Sequence, residues 1–437
     1  MSIFAIIIIV LVGVIAFFHY TQGFWSATLS AIIAVIAAVL AIGYHESVVN
    51  TLLKGRISDY AHAFALVAIF GLTYLILRAI IDKVIPGNLR LPVIVDKVGA
   101  GMMGIVAAIF SVGVVAVAAQ AMPFGPEIGG YARYEMTDER EAAIQVAGKQ
   151  QYQDIVTLPQ VESNALDEEA TKKKLLLPVD EWVIGLVSHL SDGGSLAGKR
   201  QLEEVHPNYL DELFAQRLGI QVGANRVAIN EPKQQVQIDG LFRAPPTIPQ
   251  FDSDITSARP DGKPVTWPAP KDGEMYLVAR VKFLGGADSG KPPEFVRFSP
   301  GSIRLVARSD EEGAKNYFPI GTVENGSMLF TNRIDDYLFV SEGQAADVVF
   351  LVRSDEVLEG KTNKVKEGVF IEVKRLARED LSGKTVDEGI KPDASVSVLR
   401  KTGIVAGAAK GSGTPAATPA KKPDAPDIPA PDATPTP

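Results

Sequence analysis

"DKVGAGMMGIVAAIF", residues 96–110, sets an acid-base pair and three glycines within six positions ahead of an apolar run that continues to Met122. Two readings compete. A phosphate-cradling loop needs a strand before it and a partly wet helix after it, so that backbone N–H groups converge on an anion. The residues after Gly104 carry no charge before Glu127. A run longer than the roughly 20 residues that cross a bilayer core of about 30 Å is a membrane span. Within it Ala100, Gly104 and Ala108 recur every four positions, on one helix face. Lipid tails are as apolar as the helix, so spans associate by close backbone approach, and such a face permits it.

The same segregation runs through the whole chain. It has 437 residues and a formal net charge of −8. The apolar residues crowd into the first 122 positions and most carboxylates lie beyond Glu127, so lipid comes first and water second. With no cysteine, disulfides, thiolate metal sites and cysteine nucleophiles are excluded. No strongly basic patch is present, which argues against nucleic acid as a partner.

Three further apolar runs precede the fourth. Residues 3–18 carry no polar side chain and lack the positive leader and small-residue cleavage site of a secretory signal, so a retained span is expected. The second run, 24–42, follows a short polar link around Gly23, which makes a helical hairpin, and the third covers about 60–81. Four spans put both chain ends on one side. Arg78, Lys83, Arg90 and Lys97 near the 82–97 loop outweigh Lys54, Arg56, Arg133 and Arg140 only slightly. The positive-inside bias then places that loop in the cytoplasm and the polar region outside it, in the periplasm.

Beyond the spans, residues 126–178 read as a polar stalk. In 179–221 helical spacing of Trp182, Val183, Leu186, Val187 and Leu190, then of Tyr209, Leu210, Leu213, Phe214 and Leu218, marks a small helical module. From 222 the period becomes two: "RVAIN", "QVQIDGLF", "MYLVARVKFL", "IRLVAR", "YLFV", "ADVVFLV" and "VFIEVKR", separated by turn residues, predict an all-β, immunoglobulin-like sandwich over 222–385. Residues 386–437, rich in Ala, Pro and Thr, have too little apolar bulk to fold and are expected to be disordered. The expected fold is thus a four-helix transmembrane domain over 1–125, then an α+β region and a disordered tail.

The order of the first 125 residues, with a turn glycine at Gly23 and an acid-base pair, Asp96-Lys97, ahead of the ladder Ala100, Gly104, Ala108, resembles the colicin V production protein (CvpA) family of bacterial inner-membrane proteins. The chain departs from that family's pattern in two ladder glycines that are alanines, in Gly99 and Gly101 lying off the ladder, and in Ala107 where a basic residue is usual. The resemblance implies a role in toxin production or export and in envelope homeostasis.

Catalytic chemistry is not expected. The histidines His19, His45, His62, His189 and His206 show no metal-ligand spacing and no nucleophile motif, so no metal, cofactor or catalytic residue is assigned. Asp310-Glu311-Glu312, Asp335-Asp336 and Lys172-Lys173-Lys174 read as solvated charge runs, and Asn325-Gly326-Ser327 as a turn. The leading expectation is a non-enzymatic integral membrane protein with membrane lipid around its helices, a homo-oligomer permitted by the small-residue face, and a protein partner for the polar region. The alternative is a small channel or transport accessory, with Gly99, Gly101, Gly104, His62, Thr73 and Tyr74 lining a path.

Overall fold

The computed structural model describes residues 2–53, 59–85, 92–125, 127–134, 173–192, 202–217, 236–246, 269–284, 295–298, 300–309, 313–324, 327–330, 338–341, 343–360, 362–393, 396 and 398–400. Four helices long and apolar enough to cross a membrane come first: α1 (Ile3–Gln22), α2 (Phe24–Val48), α3 (Ala61–Val84) and α4 (Val93–Gln120). The first two are joined by Gly23 alone, at φ +95°, a left-handed backbone that suits a residue without Cβ. Helix α2 runs on into a π turn, Val49–Leu53. The exposed large apolar side chains, such as Ile3, Phe17, Leu72, Leu75 and Ile94, concentrate on these helices, as a lipid-facing surface requires.

The chain then folds back onto the bundle. The amide of Phe4 donates to the carbonyl of Gly129 at 3.2 Å, and Tyr131 stacks on Phe4 and is buried. Helix α5 (Val179–Asp192) lies against α4 at Gly113, where a Cβ would stand 2.7 Å from the carbonyl oxygen of Val179. Val179, Val183 and Val187 are buried there, whereas Trp182, part of the same helical apolar spacing, is exposed. Two shorter helices follow, α6 (Leu202–Val205) and α7 (Tyr209–Arg217), with Tyr209, Leu210, Leu213 and Phe214 buried. The helices expected as a separate module and the ends of the expected stalk are therefore built into the base of the bundle.

Thirteen strands are described: β1 (Val236–Arg243), β2 (Glu274–Phe283), β3 (Phe295–Phe298), β4 (Ile303–Ser309), β5 (Gly313–Tyr317), β6 (Gly321–Glu324), β7 (Ser327–Phe330), β8 (Leu338–Ser341), β9 (Ala345–Arg353), β10 (Phe370–Val373), β11 (Ala377–Asp380), β12 (Asp387–Glu388) and β13 (Val398–Arg400). A six-stranded sheet has the order β12-β1-β2-β9-β6-β7, a four-stranded sheet β11-β10-β4-β5, and a third β13-β8-β3. All named pairs are antiparallel except β1 with β12. An immunoglobulin constant-type sandwich instead divides about seven strands four and three. Strand β12 and Val386, which is buried in the core, carry the folded region past residue 385, and β13 carries it to Arg400. "RVAIN" and the tail from residue 401 lie outside the described residues.

The main β core is where the two halves of the chain meet. Ile238, Leu277 and Phe350 of the large sheet interleave with Leu305 and Ile371 of the four-stranded one, as period-two strands with one inward face must. Val49, Ala61 and Ala65, from the ends of α2 and α3, belong to that same core. The β-domain is thus seated on the membrane helices through shared apolar burial.

Candidate functional site

Above that shared core the structure closes a ring of alternating charge. Glu46, in the last turn of α2, has Oε1 2.8 Å from Nε2 of His206, the residue between α6 and α7. His206 Nδ1 stands 2.5 Å from Glu212 of α7, and Glu212 Oε1 lies 2.9 Å from Arg304 of β4. Arg304 donates to Glu372 of β10 at 2.7 Å, Arg378 of β11 donates to Glu372 at 2.5 Å, and Arg378 returns to within 3.6 Å of Glu46 Oε2. Asn316 of β5 braces the ring, accepting from Arg304 and donating to Glu212.

Burial makes the protonation states of this ring consequential. Burial alone would lower the His206 imidazole, but the Glu46 and Glu212 carboxylates outweigh it and raise it above its ordinary value. A protonated ring carries a proton on each nitrogen and a charge that pairs with the carboxylate at each end; Arg304 then approaches Nδ1 at 3.1 Å as a neighbour rather than a donor. For Glu372, burial pushes the carboxyl up, while Arg304, Arg378 and His206 bring it down to about 2. Removing a buried charge from such a set leaves its partners uncompensated.

The β10–β11 hairpin places the contact to the membrane helices. Between the paired residues Val373 and Ala377, Lys374 and Arg375 adopt left-handed backbone at φ +54° and +56°. That conformation costs a side-chain-bearing residue energy. Both side chains are held on the bundle: Lys374 pairs with Asp59 at 2.5 Å, and Arg375 donates to Glu46 at 2.9 Å while lying over the Tyr209 ring.

Beside Glu46 lie two imidazoles. His45 donates from Nδ1 to the Ile42 carbonyl at 2.9 Å, so its Nε2 is the lone-pair nitrogen, and the Tyr209 hydroxyl stands 3.1 Å from it. His62, on the first turn of α3, has its ring 5.6 Å from that of His45. One ligand atom each from His45, Glu46 and His62 lie within 4.8 Å of one another, the one described group able to hold a metal ion.

At the opposite end of α2 sit the other residues singled out from sequence. Asp96 Oδ1 accepts from the Phe24 amide at 2.9 Å and so caps α2. A Cβ on Gly23 would stand 3.2 Å from the same oxygen. Lys97 donates to the Tyr20 carbonyl at 3.2 Å and lies over the Tyr20 ring. Ala100, Gly104 and Ala108 are buried, and at Gly104 a Cβ would stand 2.8 Å from His19 Cβ and 3.0 Å from the Ala16 carbonyl oxygen of α1. That face is therefore used inside the chain.

Residues 4–133 match the family described as Colicin V production protein. No curated protein and no solved structure matches the chain. The matched region holds the four helices, His45, Glu46, His62 and the turn motif, whereas every other member of the charge ring lies beyond it. A second tie uses the region's last matched residue: Arg133 pairs with Asp211 of α7 and, at 3.4 Å, with Glu181 of α5. Gln120, at the end of α4, donates to the buried Asp180 at 2.7 Å. The residues suggested for a path are spread along the length of the bundle. Gly99 abuts Phe24 at one end of α2 and His62 neighbours His45 at the other, roughly 30 Å away along a helix rising about 1.5 Å per residue. Sequence reading passed over the charge ring because its members sit on separate elements with no local pattern. Asn325-Gly326, Asp310-Glu311-Glu312 and Asp335-Asp336 lie outside the described residues.

Proposed function

We propose that the protein acts, without catalysis, in the bacterial inner membrane in toxin production or export and in envelope homeostasis, with its polar region facing the periplasm and binding a protein partner. The observation that supports this reading is the ring in which Glu46 of the colicin V production region is locked to residues of the β-domain. Such a lock makes the β-domain a rigid extension of the bundle, so binding at one is mechanically felt at the other. The test is deletion of the gene in a strain exporting a colicin V-type toxin. Export should fall, recover with the wild-type chain, and fail to recover with an Arg375→Met chain that still inserts. Full export in the deletion strain would overturn the reading. A reporter enzyme active only outside the cytoplasm should be active when fused after Arg400 and silent when fused after Leu89; the reverse pattern would place the partner in the cytoplasm.

A further inference from the structure

We propose that His45, His62 and Glu46 form a binding site for a divalent transition-metal ion of the zinc class at the junction of the membrane helices and the β-domain. Two observations carry it. The three side chains present ligand atoms within 4.8 Å of one another from two helices, α2 and α3. Both ring nitrogens of His62 are buried and have no hydrogen-bond partner, although the residue is only 8% exposed. A buried imidazole left without partners is costly, and a ligand to its lone pair removes that cost.

The surroundings of the other two ligands fit the same role. A metal-bound histidine usually donates its second N–H to a carbonyl or carboxylate, which fixes the tautomer. His45 does so, giving Nδ1–H to the Ile42 carbonyl and leaving Nε2, at present facing the Tyr209 hydroxyl, for an ion. Glu46 Oε1 is held by His206 and Arg375, while Oε2 has the longer 3.6 Å approach of Arg378, so one carboxylate oxygen retains lone pairs for coordination. Two imidazoles and one carboxylate make a zinc-type donor set that leaves a fourth position for water or the Tyr209 hydroxyl. Zinc bonds of about 2.0–2.1 Å bring ligand atoms to roughly 3.4 Å apart, so the three side chains close inward on binding. The bound ion would brace the α2 and α3 ends under the β-domain. Arg375 on Glu46 opposes the positive charge and limits the affinity.

The test uses the full chain in detergent, stripped with a chelator and titrated with zinc against a chromophoric competitor. One ion per chain is expected. Binding should weaken by roughly 100-fold or more in His62→Gln and His45→Gln, since even the outer partners of metal ligands are worth 10–100-fold. His189→Ala, at an exposed position on α5, should bind as wild type does. Wild-type protein that melts cooperatively yet takes up no ion, or a His62→Gln protein that binds equally well, would overturn the proposal. If the histidine variants do not fold, X-ray absorption of the cobalt-loaded wild type decides: two imidazoles in the shell support the site, and a shell without them overturns it.

Discussion

At Gly104 one hydrogen atom decides how closely two helices approach. A Cβ there would press on His19 Cβ and the Ala16 carbonyl of α1, so Gly104→Leu should push α1 away from α4 and cost about 1–3 kcal/mol, the usual range for overpacking. Val115→Leu, on an exposed position of the same helix, should change little. Denaturant titration of the full chain in detergent reads both. Gly23→Ala meets two penalties, a left-handed φ of +95° and a Cβ 3.2 Å from Asp96 Oδ1, and should lower the melting temperature more than Gly13→Ala, where a Cβ meets nothing within 4 Å. Spacing alone revealed that Gly104 lies on a packing face. That the face is filled by α1 was not legible, because a four-residue repeat says which side of a helix packs and not against what.

Between elements, the charge ring is the feature whose energetics can be read by titration. Glu372→Leu removes the carboxylate that Arg304 and Arg378 share, leaving them only Glu212 and the longer approach to Glu46, and should cost about 3–5 kcal/mol, as breaking buried pairs does. The pH dependence has a definite sign. Glu372 is held below its ordinary 4.5, so its contribution is complete above about 4.5 and fades as pH falls toward about 2. His206 is shifted the other way, so its contribution is complete below 6.5 and is lost as pH rises through its raised value. Thermal melts across pH should therefore show stability falling on both sides, and Glu372→Gln should make the acid limb shallower, with Glu212 still held low by Arg304 and His206, while leaving the alkaline limb in place. A flat profile for wild type would contradict these assignments. The individual strands were visible in the period-two runs "IRLVAR" and "VFIEVKR"; the ring they carry was not. Glu46 and Arg375 are 329 residues apart, and a charge within a strand looks like its solvent face until a second element covers it.

For the molecule as a whole, the apolar runs and the polar remainder made the lipid-water division legible, since a span needs only length and the absence of charge. The polar composition of 126–178 suggests a stalk and the spacing in 179–221 a helical module, yet Tyr131 of the one and Val179 and Tyr209 of the other are buried against the bundle, each through a partner that lies far along the chain. The central claim is that the β-domain sits on the ends of α2 and α3, and the absence of native cysteines makes it directly testable. With cysteines at Asp59 and Lys374, whose side chains meet at 2.5 Å, a short bifunctional thiol reagent applied to the full chain in native membranes should give an intramolecular link in most molecules, with each single-cysteine chain giving none. Two cysteines that each react with a monofunctional reagent yet fail to link would contradict the account.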